Sequence, residues 1–123
     1  MNSRWILAAG GALLALATIS GAFGAHALQM RLAPDRLSVY ETAVRYQFYH
    51  SLGLLAIGLL ARASNASLLQ WSAVLIAAGV VLFSGGIYAV SFGAPAPMGV
   101  VTPVGGLALI LGWAVFTFAV LRS

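Results

Sequence analysis

The chain contains no cysteine, no lysine and only two acidic residues, Asp35 and Glu41, among 123 residues. The absence of cysteine excludes disulfides, thiolate metal sites and iron–sulfur clusters. Charged residues make up 7% of the chain, whereas a soluble domain carries about 25%, so much of the surface must face lipid. The arginines are scattered rather than clustered, and nucleic-acid binding is therefore not predicted.

Hydrophobic residues make up 62% of the chain and are concentrated in four stretches. A transmembrane helix needs about 20 apolar residues, and lipid forces each spanning segment to be helical. Short polar turns between the stretches favour antiparallel neighbours. The sequence predicts an all-α integral membrane protein, one domain over residues 1–123 folded as a four-helix up-down-up-down bundle, with spans at about residues 5–27, 46–61, 68–90 and 100–121.

The first apolar stretch begins after a single arginine and ends at "GAHA", a pattern that also occurs at cleaved signal peptides. Its apolar run of about 22 residues is longer than the 7–15 of a signal peptide, which favours a retained first span. The Arg-headed N-terminus and the uncharged "GAPAPM" turn lead us to expect both termini in the cytoplasm.

The polar segment before the second span carries a helix-start signal at Pro34. No further proline or glycine occurs before Gly53, so this segment could form one helix with the second span, as a helical extension whose first turns protrude from the membrane or lie along its interface. Leu37, Tyr40 and Val44 would form its apolar stripe. Glu41 and Arg45 are four residues apart in the order that favours an ion pair.

Small residues recur within the spans at spacings that allow helices to approach closely. They predict helix packing, either inside the bundle or between copies of the chain. The glycines assigned to this role are Gly11, Gly21, Gly24, Gly85 and Gly106.

Polar residues converge on one membrane face if the spans alternate in direction. That face combines the ends of spans one and three with the starts of spans two and four. His26 and His50 would then lie at similar depth, with Tyr46 and Gln47 one turn before His50. Because polar residues in a span usually face the bundle interior, we single out His26, Tyr46, Gln47 and His50 as the candidate cluster.

Several interpretations of this cluster stay open. The histidines could be hydrogen-bonded structural residues, or ligands of a metal or haem. A proton or small-ligand path could use His50 with Glu41 and Arg45. Lipid headgroups or a partner protein could contact Arg36, Glu41 and Arg45. The sequence shows no recognisable catalytic arrangement of a nucleophile, a base and an orienting group. Neither an enzyme nor a bound cofactor is therefore predicted.

Four motifs, "GAFGAHAL", "YETAVRYQFYHSLGLL", "FSGGIYAVSFG" and "TPVGGLALILGW", occur in this order. Together they resemble domain-of-unknown-function family 423, small bacterial membrane proteins similar to transmembrane protein 256. The resemblance implies a four-span protein of the bacterial inner membrane and implies no activity. The family's usual "SGS" stands here as "SGG", which leaves no second serine. Matching motif positions are His26, Tyr46, Gln47, His50, Ser84, Gly85, Thr102, Pro103 and Gly106.

The sequence therefore favours a non-enzymatic membrane component, such as a scaffold, accessory subunit or assembly factor. Its expected partners are the lipid bilayer and either further copies of itself or a larger membrane complex. The alternative is a protein that handles a ligand, a proton or a metal at a site around His26 and His50.

Overall fold

Four helices make up most of the protein in the computed structural model, which describes residues 2–64, 66–95 and 98–122. No strand occurs in these parts of the chain, so the fold is all-α. α1 spans Arg4–His26, a 3₁₀ turn spans Leu28–Met30, α2 spans Pro34–Ala63, α3 spans Ser67–Ser91 and α4 spans Met98–Arg122.

α2 is one continuous helix of 30 residues, in which the predicted extension continues into the predicted second span. It begins with Pro34 at a position where the missing N–H costs nothing. Asp35 in the first turn is stabilised by the positive end of the helix dipole. The turn after α3 depends on Gly93, whose φ of +89° is a conformation that glycine adopts without strain.

Consecutive helices run antiparallel and form the main interfaces, α1 with α2, α2 with α3, and α3 with α4. Among the described residues, the backbones of α1 and α4 do not adjoin. α2 and α3 therefore lie between α1 and α4, and the apolar residues Leu54 and Ile57 of α2 are fully buried with Ile6 and Ile76. We call the end where α1 and α3 finish the His26 end, and the opposite end the Arg62 end.

Three helices are long and apolar enough to cross a membrane, over Arg4–His26, Ser67–Ser91 and Gly99–Arg122. α2 is not among them, since it carries charged residues near both ends and a polar stretch around Gln47. Its crossing of the membrane stays a prediction. α1 is the least covered of the three, with 17% of its most apolar window buried against 39% for α3.

Candidate functional site

Gln47 joins three helices from the centre of the bundle. Its side chain is 4% exposed. The amide Nε2 donates to the carbonyl oxygen of Leu13 in α1 at 2.9 Å. The amide Oε1 accepts a hydrogen bond from the Tyr88 hydroxyl of α3 at 2.7 Å. One α2 side chain thus fixes the positions of both neighbouring helices.

His50 lies one turn further along α2 and is 9% exposed. Its Nδ1 is 2.7 Å from the carbonyl oxygen of Tyr46. Because a carbonyl only accepts, Nδ1 carries a proton in this contact. The imidazole lies between the Tyr46 ring and the Trp113 ring of α4, at centroid distances of 6.0 and 6.2 Å. Gly53 makes room for Trp113, since a Cβ there would lie 2.6 Å from the indole.

His26 is not part of this cluster. It is exposed at the last position of α1, whereas His50 lies near the level of Gly10, whose neighbour in α2 is Ser51. At a rise of 1.5 Å per residue, the two histidines are about 20 Å apart along the bundle axis. The prediction of similar depth is wrong, because the first turns of α2 already pack beside α1: Tyr40 lies against Gly24.

Three further buried hydroxyls donate to main-chain carbonyl oxygens of neighbouring helices. The Tyr40 hydroxyl is 2.6 Å from the Ser20 oxygen. Ser84 and Ser72 of α3 donate to Ala43 and Gly112 at 2.9 Å each. Sequence reasoning gave Tyr40 only an apolar role and gave Ser72 none. The sequence signal for these interhelical hydrogen bonds was a serine among apolar residues, since Ser and Thr hydroxyls commonly form hydrogen bonds between membrane helices.

The charged residues of α2 do not form the predicted ion pair. Arg45 donates instead to the Thr42 hydroxyl at 3.1 Å. Glu41 and Arg45 border a groove of about 280 Å³ between α1 and α2, whose floor includes Gly21. Arg36 lies elsewhere, with its guanidinium against Gly93 in the turn after α3. The three residues predicted to contact headgroups therefore do not form one surface.

The glycines differ in what surrounds them. Gly24 packs tightly on the Tyr40 ring, and Gly21 and Gly106 make ordinary contacts with α2 and α3 side chains. Gly11 and Gly85 face open space, since a methyl group added at either position would have no neighbour within 4 Å. Internal packing is therefore the wrong interpretation for these two. Approaches comparable to that of Gly24 also occur at glycines outside this group of five, namely Gly53, Gly58, Gly79, Gly86, Gly105 and Gly112.

Thr102 packs against Gly86 where α3 and α4 meet. Its hydroxyl is buried and has no hydrogen-bond partner among the described residues. The neighbouring Pro103 lies inside α4. Thr102 therefore belongs to the interface between α3 and α4, away from the groove beside Gly21.

The Arg62 end carries a cavity that sequence reasoning missed. Its volume is about 450 Å³, and most of its lining is polar. The lining comes from the start of α1, the end of α2 and the start of α3. The sequence signal for this cavity was weak, since serines and a glutamine near helix ends are also ordinary surface residues. Its polar side chains are Asn2, Ser3, Arg62, Ser64, Ser67 and Gln70.

The described side chains bring few potential metal ligands together. No group of three or more His, Asp or Glu side chains comes together within the described ranges. His50 offers one free imidazole nitrogen, and its other neighbours are aromatic rings. The polar side chains of the interior hold the helices in register, because they form hydrogen bonds from one helix to the next.

Comparison with known proteins assigns the family. The DUF423 family, described as a protein of unknown function, matches residues 20–106. The chain belongs to this family. UPF0382 membrane protein SERP0230 of Staphylococcus epidermidis is 40% identical over 117 residues, covering 95% of this chain and 93% of the relative. UPF0382 membrane protein YwdK of Bacillus subtilis is 39% identical over 118 residues, covering 95% and 94%.

No solved structure matches the chain. The DUF423 match includes Gln47, His50 and Tyr88 of the interior. It also includes Arg62 of the cavity, while Asn2 and Ser3 lie before it. With these relatives, the chain is a membrane protein of a family of unknown function.

Proposed function

We propose that this protein is a non-enzymatic membrane component, a scaffold or accessory subunit that acts by packing against another transmembrane helix. The observation that carries this proposal is the uncovered outer face of α1. Gly11 on that face has open space around it. Small residues on a lipid-facing surface allow a second helix to approach closely. The exposed small residues of this face are Ala8, Gly11, Ala12, Ala15 and Ala22.

The polar interior supports the same proposal. Gln47, Ser72 and Ser84 are each engaged with a main-chain carbonyl of another helix. Such bonds hold the bundle together and occupy the donor groups of these side chains. Apart from His50 and the cavity at the Arg62 end, the outer surface is the part of the molecule left for function.

We further propose that the protein lies in the bacterial inner membrane with both termini in the cytoplasm. Arg4, Arg62 and Arg122 are exposed at the Arg62 end. At the His26 end, Arg45 borders the groove between α1 and α2, so it sits beside the helices rather than in a loop. Arg31 and Arg36 are exposed at the His26 end, so the three arginines at the helix ends of the Arg62 end are a small excess, and this excess favours the cytoplasmic side for the Arg62 end.

Cysteine cross-linking in native membranes tests the packing proposal, because the chain has no cysteine of its own. We expect Ala12→Cys and Ala15→Cys to give covalent adducts with a second copy or a neighbouring membrane protein. Ala114→Cys, at an exposed alanine of α4, is the matched control and should give none. Adding Gly11→Leu should reduce the adducts, since the larger side chain fits the single chain but blocks a close partner. No adducts, or equal adducts from both helices, would contradict the proposal.

A second candidate function rests on His50. Its proton-bearing Nδ1 faces the Tyr46 carbonyl and its Nε2 has no hydrogen-bond partner among the described residues. An imidazole oriented in this way resembles one prepared to bind a metal or accept a proton. Elemental analysis and an optical spectrum of the purified chain, compared with His50→Gln, test this candidate. Identical metal content and spectra in the two proteins would exclude the metal form.

A further inference from the structure

The cavity at the Arg62 end combines hydrogen-bond donors that have no partner among the residues that the structure describes. The Arg62 guanidinium and the Ser67 and Ser3 hydroxyls make no hydrogen bond or ion pair among the described residues. Two other lining residues are engaged: Gln70 accepts from the Trp5 indole at 2.8 Å, and Ser64 accepts from the Ala66 N–H at 3.3 Å. The engaged residues shape the cavity wall, and the free donors remain available to a ligand.

The distribution of charged side chains indicates which kind of ligand the cavity would bind. Both acidic side chains of the protein, Asp35 and Glu41, belong to the first turns of α2 at the His26 end. Arg4, Arg62 and Arg122 all lie at the Arg62 end, and no acidic side chain accompanies them. The potential at the cavity is therefore positive, which favours an anion.

The position of the cavity relative to the membrane narrows the choice of anion. Trp71 lies on the cavity wall and is 59% exposed. Exposed tryptophans at the ends of spanning helices sit at the level of the lipid headgroups. Phosphate groups are the anions concentrated there, and a guanidinium pairs with them through two parallel hydrogen bonds.

We propose that the Arg62 cavity binds a phosphate group, supplied either by the headgroup of an anionic phospholipid or by free phosphate. Arg62 forms the charged contact, and the hydroxyls of Ser67 and Ser3 donate to the remaining phosphate oxygens. This site differs from the predicted headgroup contacts of Arg36, Glu41 and Arg45, which belong to the other end of the bundle.

Lipid retention tests this proposal on the full chain. The protein is reconstituted in vesicles of equal phosphatidylglycerol and phosphatidylcholine, and the lipids it keeps after detergent extraction are measured by native mass spectrometry. We expect preferential retention of phosphatidylglycerol, lowered about fivefold in Arg62→Gln, the effect of one arginine near an anionic surface. Ser67→Ala should lower retention less than Arg62→Gln does.

Arg4→Gln is the matched control, since Arg4 lies at the same end and does not line the cavity. It should change retention by less than about twofold if the site is specific, against the full effect of one arginine at the cavity. Equal losses in Arg4→Gln and Arg62→Gln would mean a diffuse charge effect and would overturn the proposal.

Competition with inorganic phosphate separates the two sources of the ligand. If millimolar phosphate displaces the lipid in an Arg62-dependent manner, free phosphate is the ligand. If it does not, the lipid headgroup is. Absence of both phosphatidylglycerol preference and phosphate binding in the folded wild-type chain would overturn the proposal entirely.

Discussion

At the His26 end, buried tyrosine hydroxyls bond from one helix to the next, whereas at the Arg62 end the Arg62 and Ser67 side chains border a cavity. Tyr40 donates to α1, and Tyr88 donates to Gln47 of α2. At the opposite end, the polar groups of Arg62 and Ser67 face an open space of about 450 Å³. The two ends therefore differ in what their polar side chains contact.

This difference implies that the polar side chains at the His26 end contribute to stability, whereas those at the Arg62 end are available for binding. A polar group buried in an apolar medium without a partner is costly, so the paired groups of the His26 half must hold the helices together. An unpaired group at an open cavity keeps its contact with water or headgroups and carries no such cost. Substitutions should therefore affect folding at one end and ligand binding at the other.

Gln47→Leu should give the largest loss of stability. It removes the bond to Leu13 and leaves the Tyr88 hydroxyl without its acceptor. Two interhelical bonds and one orphaned hydroxyl predict a loss of about 2–4 kcal/mol in the free energy of unfolding. Reversible unfolding in mixed micelles measures it. Gln29→Leu, at an exposed glutamine, is the control, and equal losses in both variants would refute the central role of Gln47.

The two histidines should respond differently to replacement by alanine. His50→Ala removes a buried ring from between Tyr46 and Trp113, and we expect a loss of about 1–3 kcal/mol. His26→Ala removes an exposed side chain and should change stability by less than about 0.5 kcal/mol. Thermal unfolding in detergent compares the two. A comparable loss in both would mean that they act together, contrary to their separation along the bundle.

The fold was largely predictable because lipid restricts the options. Long apolar runs had to be helices, and the short turns had to reverse the chain. Hydropathy was less informative for α2, where the predicted apolar stripe of Leu37, Tyr40 and Val44 packs in the bundle before the predicted second span begins. A helix whose polar residues face its neighbours looks like an interfacial segment when only its composition is considered.

The candidate site was predicted in part. Gln47 and His50 are buried in the interior, as polar residues in a span usually are. The pairing of His26 with His50 failed because it depended on the α1–α2 register. That register is set by side-chain contacts such as Gly24 with Tyr40, which periodicity does not encode. The cavity was missed since it is formed by three segments distant in sequence.

A smaller effect is expected from removing one hydroxyl. Tyr40→Phe keeps the buried ring and deletes the bond to the Ser20 oxygen. Interhelical hydrogen bonds in membranes contribute about 0.6 kcal/mol on average, and we expect a loss of that size in the free energy of unfolding. Tyr49→Phe, at a tyrosine that is 58% exposed, should show no change. A loss in Tyr49→Phe equal to that in Tyr40→Phe would contradict the assignment.

The smallest effect on stability should come from the Arg62 end. Arg62 is exposed and makes no hydrogen bond or ion pair among the described residues, so Arg62→Gln removes no contact that holds the bundle. We expect a change of less than about 0.5 kcal/mol in lipid-free detergent. In the presence of phosphatidylglycerol, the wild-type chain should become more stable than the variant, because a ligand that binds only the folded state raises its stability. A large loss without lipid would instead make Arg62 a structural residue and remove the contrast between the two ends.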